Sequence, residues 1–192
     1  MRRSIFACGL LLALAGIPSA VAATAGANGR QTPAATPEPR PLVDVHTIDY
    51  WSDKARRAQA ATTRWVTVVR GRPPRYPSVM RGTPSAHTAR SIALAWHRRA
   101  IAAWRFAQHP PYRRAWYCIH NYEGSWSDPN APYWGGLQMD YSFQSAYGAW
   151  LLKHKGTANH WTPLEQIWTG VRAWRVRGFA PWSTTAHTCG VY

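Results

Sequence analysis

The residues Tyr112, Trp116, Ile119 and Glu123 are spaced four, three and four apart. That spacing puts all four on one face of a helix. Three of them are large and at least partly apolar, so the face is expected to look inward, with Glu123 at its lower end. A carboxylate there is costly unless it is paired or protonated. Burial and the negative end of the helix dipole both favour the neutral carboxyl. A carboxyl kept protonated in this way can act as a general acid. The ordinary alternative is a solvated Glu at a frayed helix end. The following residues weigh against it. Gly124 stops the helix, Asp128-Pro129-Asn130 makes a turn, and Tyr133-Trp134-Gly135-Gly136-Leu137-Gln138 brings aromatics, glycines and an amide together.

Residues 111–192 contain four acids: Glu123, Asp128, Asp140 and Glu165. Glu165 belongs to a capping box, Thr162-Pro163-Leu164-Glu165. Asp140 is well placed as a helix N-cap, and Asp128 as the first residue of a turn. Glu123 has no comparable structural task. A glycosidase with two carboxylates would take Asp140 or Asp128 as its second. Trp126, Tyr133 and Trp134 surround the turn and the glycines instead of following a helical stripe. Rings with an apolar body and a polar edge suit the faces of sugars, although each of these could equally be a core residue. The histidines show no metal-ligand spacing. No Gly-x-Ser-x-Gly or Cys-His arrangement points to a nucleophilic hydrolase. Neither a metal nor a cofactor is expected.

The elements that must hold these residues follow from pattern. Residues 1–22 read as a secretory signal, with Arg2 and Arg3, an apolar stretch from Ile5 to Ile17, and small residues at Ala20-Val21-Ala22. The apolar stretch is too short to span a bilayer, and an uncleaved anchor is the alternative. Residues 23–84 read as a largely disordered, Ala- and Pro-rich basic linker. Within it, Trp65 to Val69 is a candidate short strand or an adhesive patch. Residues 85–109 read as an amphipathic basic helix, packed on the domain or free as an arm. Residues 110–192 form the domain proper. A helix from Pro111 to Glu123 opens it, and an extended segment from Tyr133 to Met139 forms one side of a small hairpin. Helices over 141–152 and from Pro163 to Gly178 follow. The expected class is α+β, mostly helical.

Past the signal, two cysteines remain, Cys118 and Cys189. In an exported chain they suggest one disulfide, with two free thiols as the alternative. The bond would close a loop of about 70 residues, worth roughly 4 kcal/mol. The net charge is +15, and residues 23–110 carry 14 Lys+Arg against 4 Asp+Glu. This excess suits a polyanion such as an acidic cell wall. Nucleic acid is not expected, because no recognition motif is present.

Tyr122-Glu123-Gly124-Ser125-Trp126 and Tyr133-Trp134-Gly135-Gly136-Leu137-Gln138-Met139-Asp140 resemble the transglycosylase-like domain of actinobacterial resuscitation-promoting factors. The ending is also similar, with Phe179-Ala180-Pro181-Trp182 and Cys189-Gly190, so the resemblance covers about residues 112–192. It departs from the family in placing Cys118 five residues before the Glu and in a shorter interval from Glu to GGLQ. The resemblance implies a compact lysozyme-like domain and a secreted, cell-wall-associated enzyme that cuts between N-acetylmuramic acid and N-acetylglucosamine. It implies Glu123 as the acid, a glycan-contacting strand at Gly136, Leu137 and Gln138, and a Cys118–Cys189 bond. Trp182 joins the expected substrate contacts. With one convincing acid, a lytic transglycosylase route is favoured over hydrolysis, in which Asp140 would be the second carboxylate. A non-catalytic glycan-binding protein is the second reading, and a monomer is expected. A weaker third reading is a cationic, membrane-active chain acting through residues 85–108.

Overall fold

The computed structural model describes residues 45–191, and the expected signal and the linker before residue 45 lie outside that span. The described chain is mostly helical, with one two-stranded antiparallel sheet. Helix α1 is Val45–Arg70 and α2 is Ala86–Ala107. Helix α3, Arg113–Glu123, leads into strands β1, Tyr133–Trp134, and β2, Met139–Asp140. Then come α4, Tyr141–Lys155, α5, Pro163–Arg177, and α6, Ser183–Thr188. Short 3-10 turns at Ala158–His160 and Ala180–Trp182 join the last three helices.

The largest departure from expectation is α1. Residues 45–70 are one helix, not linker, and Trp65 to Val69 form its last turns instead of a strand. The prolines that suggested irregular chain, at 73, 74, 77 and 84, all follow the helix. None interrupts residues 45–70, and neither does a glycine. The β-branched run resembles a strand locally, yet helical spacing decides the outcome. Ala55, Thr62 and Val68 are buried on the inner side of α1. Trp65 and Val69 pack against the main core beside Val68. Gly71 then ends the helix with φ +73°, its N–H donating to the Thr67 carbonyl at 2.8 Å.

Arg172 of α5 fastens that helix end. Its guanidinium donates to the carbonyls of Val68 (3.2 Å) and Val69 (3.1 Å), and to Tyr147 O and Thr169 Oγ1 at 2.7 Å each. Burial lowers its pKa to about 10, which leaves it charged at neutral pH. A cation suits the carbonyl end of a helix. Helix α2 is anchored as well: Trp168 Nε1 donates to the Ala107 carbonyl at 2.9 Å, and Phe106 stacks on Trp168. Residues 85–109 are therefore packed on the domain and are not a free arm. Ser85 caps α2 by accepting from Thr88 N.

The main core joins α3, α4, α5 and the hairpin. Trp116, Ile119, Leu137, Leu151, Ile167 and Trp168 are fully buried there. Tyr112 is not part of the α3 stripe. It precedes the helix in a left-handed conformation (φ 55°) and its ring packs on Trp174 and Phe179. Both sides of the hairpin lie within residues 133–140, with Tyr133 opposite Asp140 and Trp134 opposite Met139. In α4, Gly148 leaves helical geometry where Trp161 packs, since a Cβ there would come within 2.6 Å of the ring.

The expected boundary at residue 110 is therefore too late, because α1 contributes to the same core. A chain that begins at residue 85 is expected to lose at least about 1.5 kcal/mol, since full burial of Val68 alone is worth roughly that much. Denaturant unfolding of the truncated and full chains measures the difference. Equal stability would show that α1 is only an attachment.

Candidate active site

Glu123 is the last residue of α3 and is half-buried. Its Oε1 accepts a hydrogen bond from Thr185 Oγ1 at 2.8 Å. No ion pair among the described residues involves it. Thr185 sits on α6, which the Cys118–Cys189 disulfide holds against α3. The two Cα atoms are 5.9 Å apart and 71 residues separate them in sequence. Cys118 lies little more than one turn before Glu123, and Cys189 directly follows α6. The bond thus fixes the acid and the hydroxyl that orients it. Nothing local marks Thr185 in the sequence, because the contact spans 62 residues.

The chain beyond Glu123 turns away through Gly124, at φ +148°. A Cβ on Gly124 would lie 3.1 Å from Gln138 Nε2 and 3.4 Å from Asp128 Oδ2. The glycine thus lets the acid's backbone pass close to Gln138 and Asp128. Gln138 itself has φ +46°, a conformation that few non-glycine residues adopt. Its amide nitrogen donates to Asp128 Oδ2 (2.9 Å) and to the Gly135 carbonyl (3.0 Å). Its amide oxygen has no protein donor among the described residues and remains available to a ligand.

The other two acids have structural work. Asp128 Oδ1 accepts from Asn130 N and Asn130 Nδ2. The Asn130 backbone N–H, followed by Gln138, holds the Asp128 carboxyl below its ordinary range. Asp140 caps α4: its Oδ1 accepts from Phe143 N and Ser142 Oγ, both at 2.7 Å. The Phe143 N–H is the main reason its pKa is lowered, with Ser142 and the charge of Arg177 adding to it. Asp140 also lines a cleft of about 330 Å3 with Tyr133, Gln138, Tyr147 and Arg177. Gln138 lines this cleft and also fills the space in which a side chain at Gly124 would lie.

The expected sugar contacts differ in their exposure. Tyr133 is 49% exposed and lines the cleft, and Gln138 lines it too. Trp126 and Trp134 are half-buried, each with one side on the core. Leu137 and Trp182 belong to the core, where Trp182 Nε1 donates to the Leu137 carbonyl at 2.8 Å, and Trp182 also lines the cleft. Gly136 is buried as well. The resemblance implies a glycan contact at Gly136, but protein fills the space beside both glycines. A Cβ on Gly136 would come within 2.5 Å of His120 Nδ1 and 2.7 Å of Trp126, and one on Gly135 within 2.5 Å of Gln166. His120 stacks on Trp126 with ring centres 3.9 Å apart. Among the described residues, no three His, Cys, Asp or Glu side chains cluster as metal ligands would.

Gln166 is the organiser that sequence reasoning missed. It is fully buried on α5. Its Oε1 accepts from Gly136 N at 2.8 Å, and its Nε2 faces the carbonyls of Trp126 (2.7 Å), Ala158 (2.9 Å) and Trp161 (3.1 Å). One side chain therefore fastens the turn, the hairpin and the loop before α5. Gln166→Leu removes these bonds and leaves several buried backbone groups unpaired. Each such group costs about 1–3 kcal/mol, so a loss of roughly 3 kcal/mol or more is expected in denaturant unfolding. A cost below about 1 kcal/mol would contradict this role.

The two lowered carboxyls also set an acid limit. A group whose folded pKa lies below its unfolded value stabilises the fold above the unfolded pKa, and that contribution fades as pH falls through the folded one. Stability is expected to decline below about pH 4. Asp140→Asn keeps an N-cap residue but removes the titration, so its unfolding free energy should fall less steeply over that range. Curves of identical slope would exclude Asp140 as a source.

Comparisons of the chain with protein-family models, with curated proteins and with solved structures return no match.

Proposed function

We propose that the protein is a peptidoglycan-cleaving glycosidase with a lysozyme-like domain, and that Glu123 is its general acid. One observation carries the reading. Of the four acids in residues 111–192, Glu123 alone has neither a capping, a turn nor an ion-pair role, and its partner is a hydroxyl from another helix. Asp128 closes a turn, Asp140 caps α4, and Glu165 completes its capping box while pairing with Lys155. The resemblance to resuscitation-promoting factors supplies the substrate class.

Protonated Glu123 donates its proton to the glycosidic oxygen as the bond from the muramyl anomeric carbon to that oxygen breaks. The resulting carboxylate accepts the proton of the muramyl 6-hydroxyl as that oxygen attacks the same carbon. The product is a 1,6-anhydro sugar, and no water is consumed. This lytic transglycosylase route is preferred because the other carboxylates have structural tasks. Hydrolysis would need Asp140 to serve a water while it also caps a helix. Thr185 holds the Glu123 carboxyl in one orientation, and Gln138 offers its amide oxygen to an N–H or hydroxyl of the sugar. Tyr133 offers a ring face at the cleft. The basic α1 and α2 surfaces, with 12 Lys+Arg against 2 Asp+Glu over residues 45–107, favour retention on an anionic wall. The site of action is then outside the membrane, in the wall.

Incubation with purified peptidoglycan, followed by mass analysis of released fragments, tests both parts. Glu123→Gln is expected to abolish cleavage while unfolding as the parent does. Thr185→Val should lower kcat more than it raises KM. Full activity in Glu123→Gln sinks the assignment. Reducing-end muramic acid without anhydro product would replace the transglycosylase route by hydrolysis and promote Asp140.

A further inference from the structure

A groove of about 680 Å3 lies between α1 and the start of α5, and it shares no lining residue with the Asp140 cleft. Its size is that of a site for a small organic ligand. One side is a face of α1 that includes Ala60 and Val68, and the other is built from Trp150 of α4 with Pro163 and Leu164 of α5. Trp65, Trp150 and Leu164 are each half-buried, resting on the core while lining the groove.

Most of the polar groups along it are already engaged. Lys155 pairs with Glu165, which also accepts from Thr162 N and Thr162 Oγ1. The Thr67 hydroxyl donates to the Thr63 carbonyl, and the Gln59 amide nitrogen to the Pro77 carbonyl. The cations Arg56 and Arg64 remain. Asp53 is held closely by Arg57 and lies 3.9 Å from Arg56, and Arg64 rests over the Trp65 ring at 5.1 Å. The groove thus offers an apolar channel with two guanidiniums and few free hydrogen-bonding groups. A sugar would find too few partners there, because hydroxyls removed from water need hydrogen bonds. A hydrocarbon chain needs none.

We propose that this groove binds a single-chain anionic amphiphile, with its hydrocarbon chain along Trp65, Trp150 and Leu164 and its carboxylate or phosphate head on Arg56 or Arg64, the two guanidiniums along the α1 side. Guanidinium groups suit both heads. A flat bilayer cannot enter a channel walled on both sides, so the ligand is a single molecule.

The test uses the full chain and palmitate below its micellar concentration. Titration calorimetry should give one site, and brominated palmitate should quench tryptophan fluorescence with the same affinity. Ala60 is exposed on α1, so Ala60→Trp fills the channel without disturbing the core. That variant, and the double reversal Arg56→Glu with Arg64→Glu, should each weaken binding by roughly tenfold or more. Thermal melts confirm that both remain folded. Dodecyl phosphate should bind and dodecyl maltoside should not. The proposal is overturned if palmitate shows no saturable binding, if Ala60→Trp binds as the parent does, or if the maltoside binds equally. Binding seen only with lipid vesicles also overturns it and points to a surface site. Glu123→Gln should bind palmitate unchanged, so failure of the glycosidase reading leaves this result separate.

Discussion

The architecture around Glu123 depends on one buried amide. Gln166 reaches from α5 to the Gly136 N–H and to the carbonyls of Trp126, Ala158 and Trp161. These segments have little regular structure of their own. The hairpin has two residues per strand, and the chain from Gly124 to Pro132 has no helix or strand. Backbone groups in such segments need partners once buried. An apolar residue at position 166 would leave them unpaired, whereas a carboxylate would lose the donor. The two-sided amide of Gln serves both needs. Its space comes from Gly135, where any side chain would collide with it.

A second constraint orients the acid. The disulfide joins α3 to the residue after α6, and it thereby brings Thr185 to Glu123. Shortening the unfolded chain's freedom is the usual account of disulfide stabilisation. In this protein the bond has a local consequence as well, because both of its ends lie close to the candidate acid. Arg172 plays a comparable part at the end of α1. It binds the carbonyl end of α1, and α1 then forms one side of the apolar groove. A buried cation with carbonyl and hydroxyl partners is sensitive to the loss of any of them. Helix α1 is therefore part of the domain and not a tether.

Legibility followed the range of the interactions. The capping box at Thr162 to Glu165, the N-cap at Asp140, the turn at Asp128 and the stop at Gly124 were all readable, because each is decided within a few residues. The α2 and α5 stripes were readable from helical spacing. Helix α1 was not, because the Trp-Val-Thr-Val-Val run reads locally as a strand and the prolines after it read as irregular chain. Tertiary burial of Ala55, Thr62 and Val68 overrode that local preference. The tight approach of Gln166 to Gly135, and of Trp126 and His120 to Gly136, has no local signal.

The mostly helical class, the small hairpin and the cysteine pair are legible along the chain. Those follow from spacing and capping chemistry, both of which act along the chain. The tertiary structure alone decided that Thr185 orients Glu123, that Gln166 binds three segments, and that Leu137 lies in the core while Trp182 joins the core to the cleft. It also placed Arg172 on the end of α1 and left an apolar groove between α1 and α5. Most of these join residues far apart in the chain, from 30 positions between Gln166 and Gly136 to 104 between Arg172 and Val68. No local pattern encodes such a pairing, because the partner's position is set only when the helices have packed.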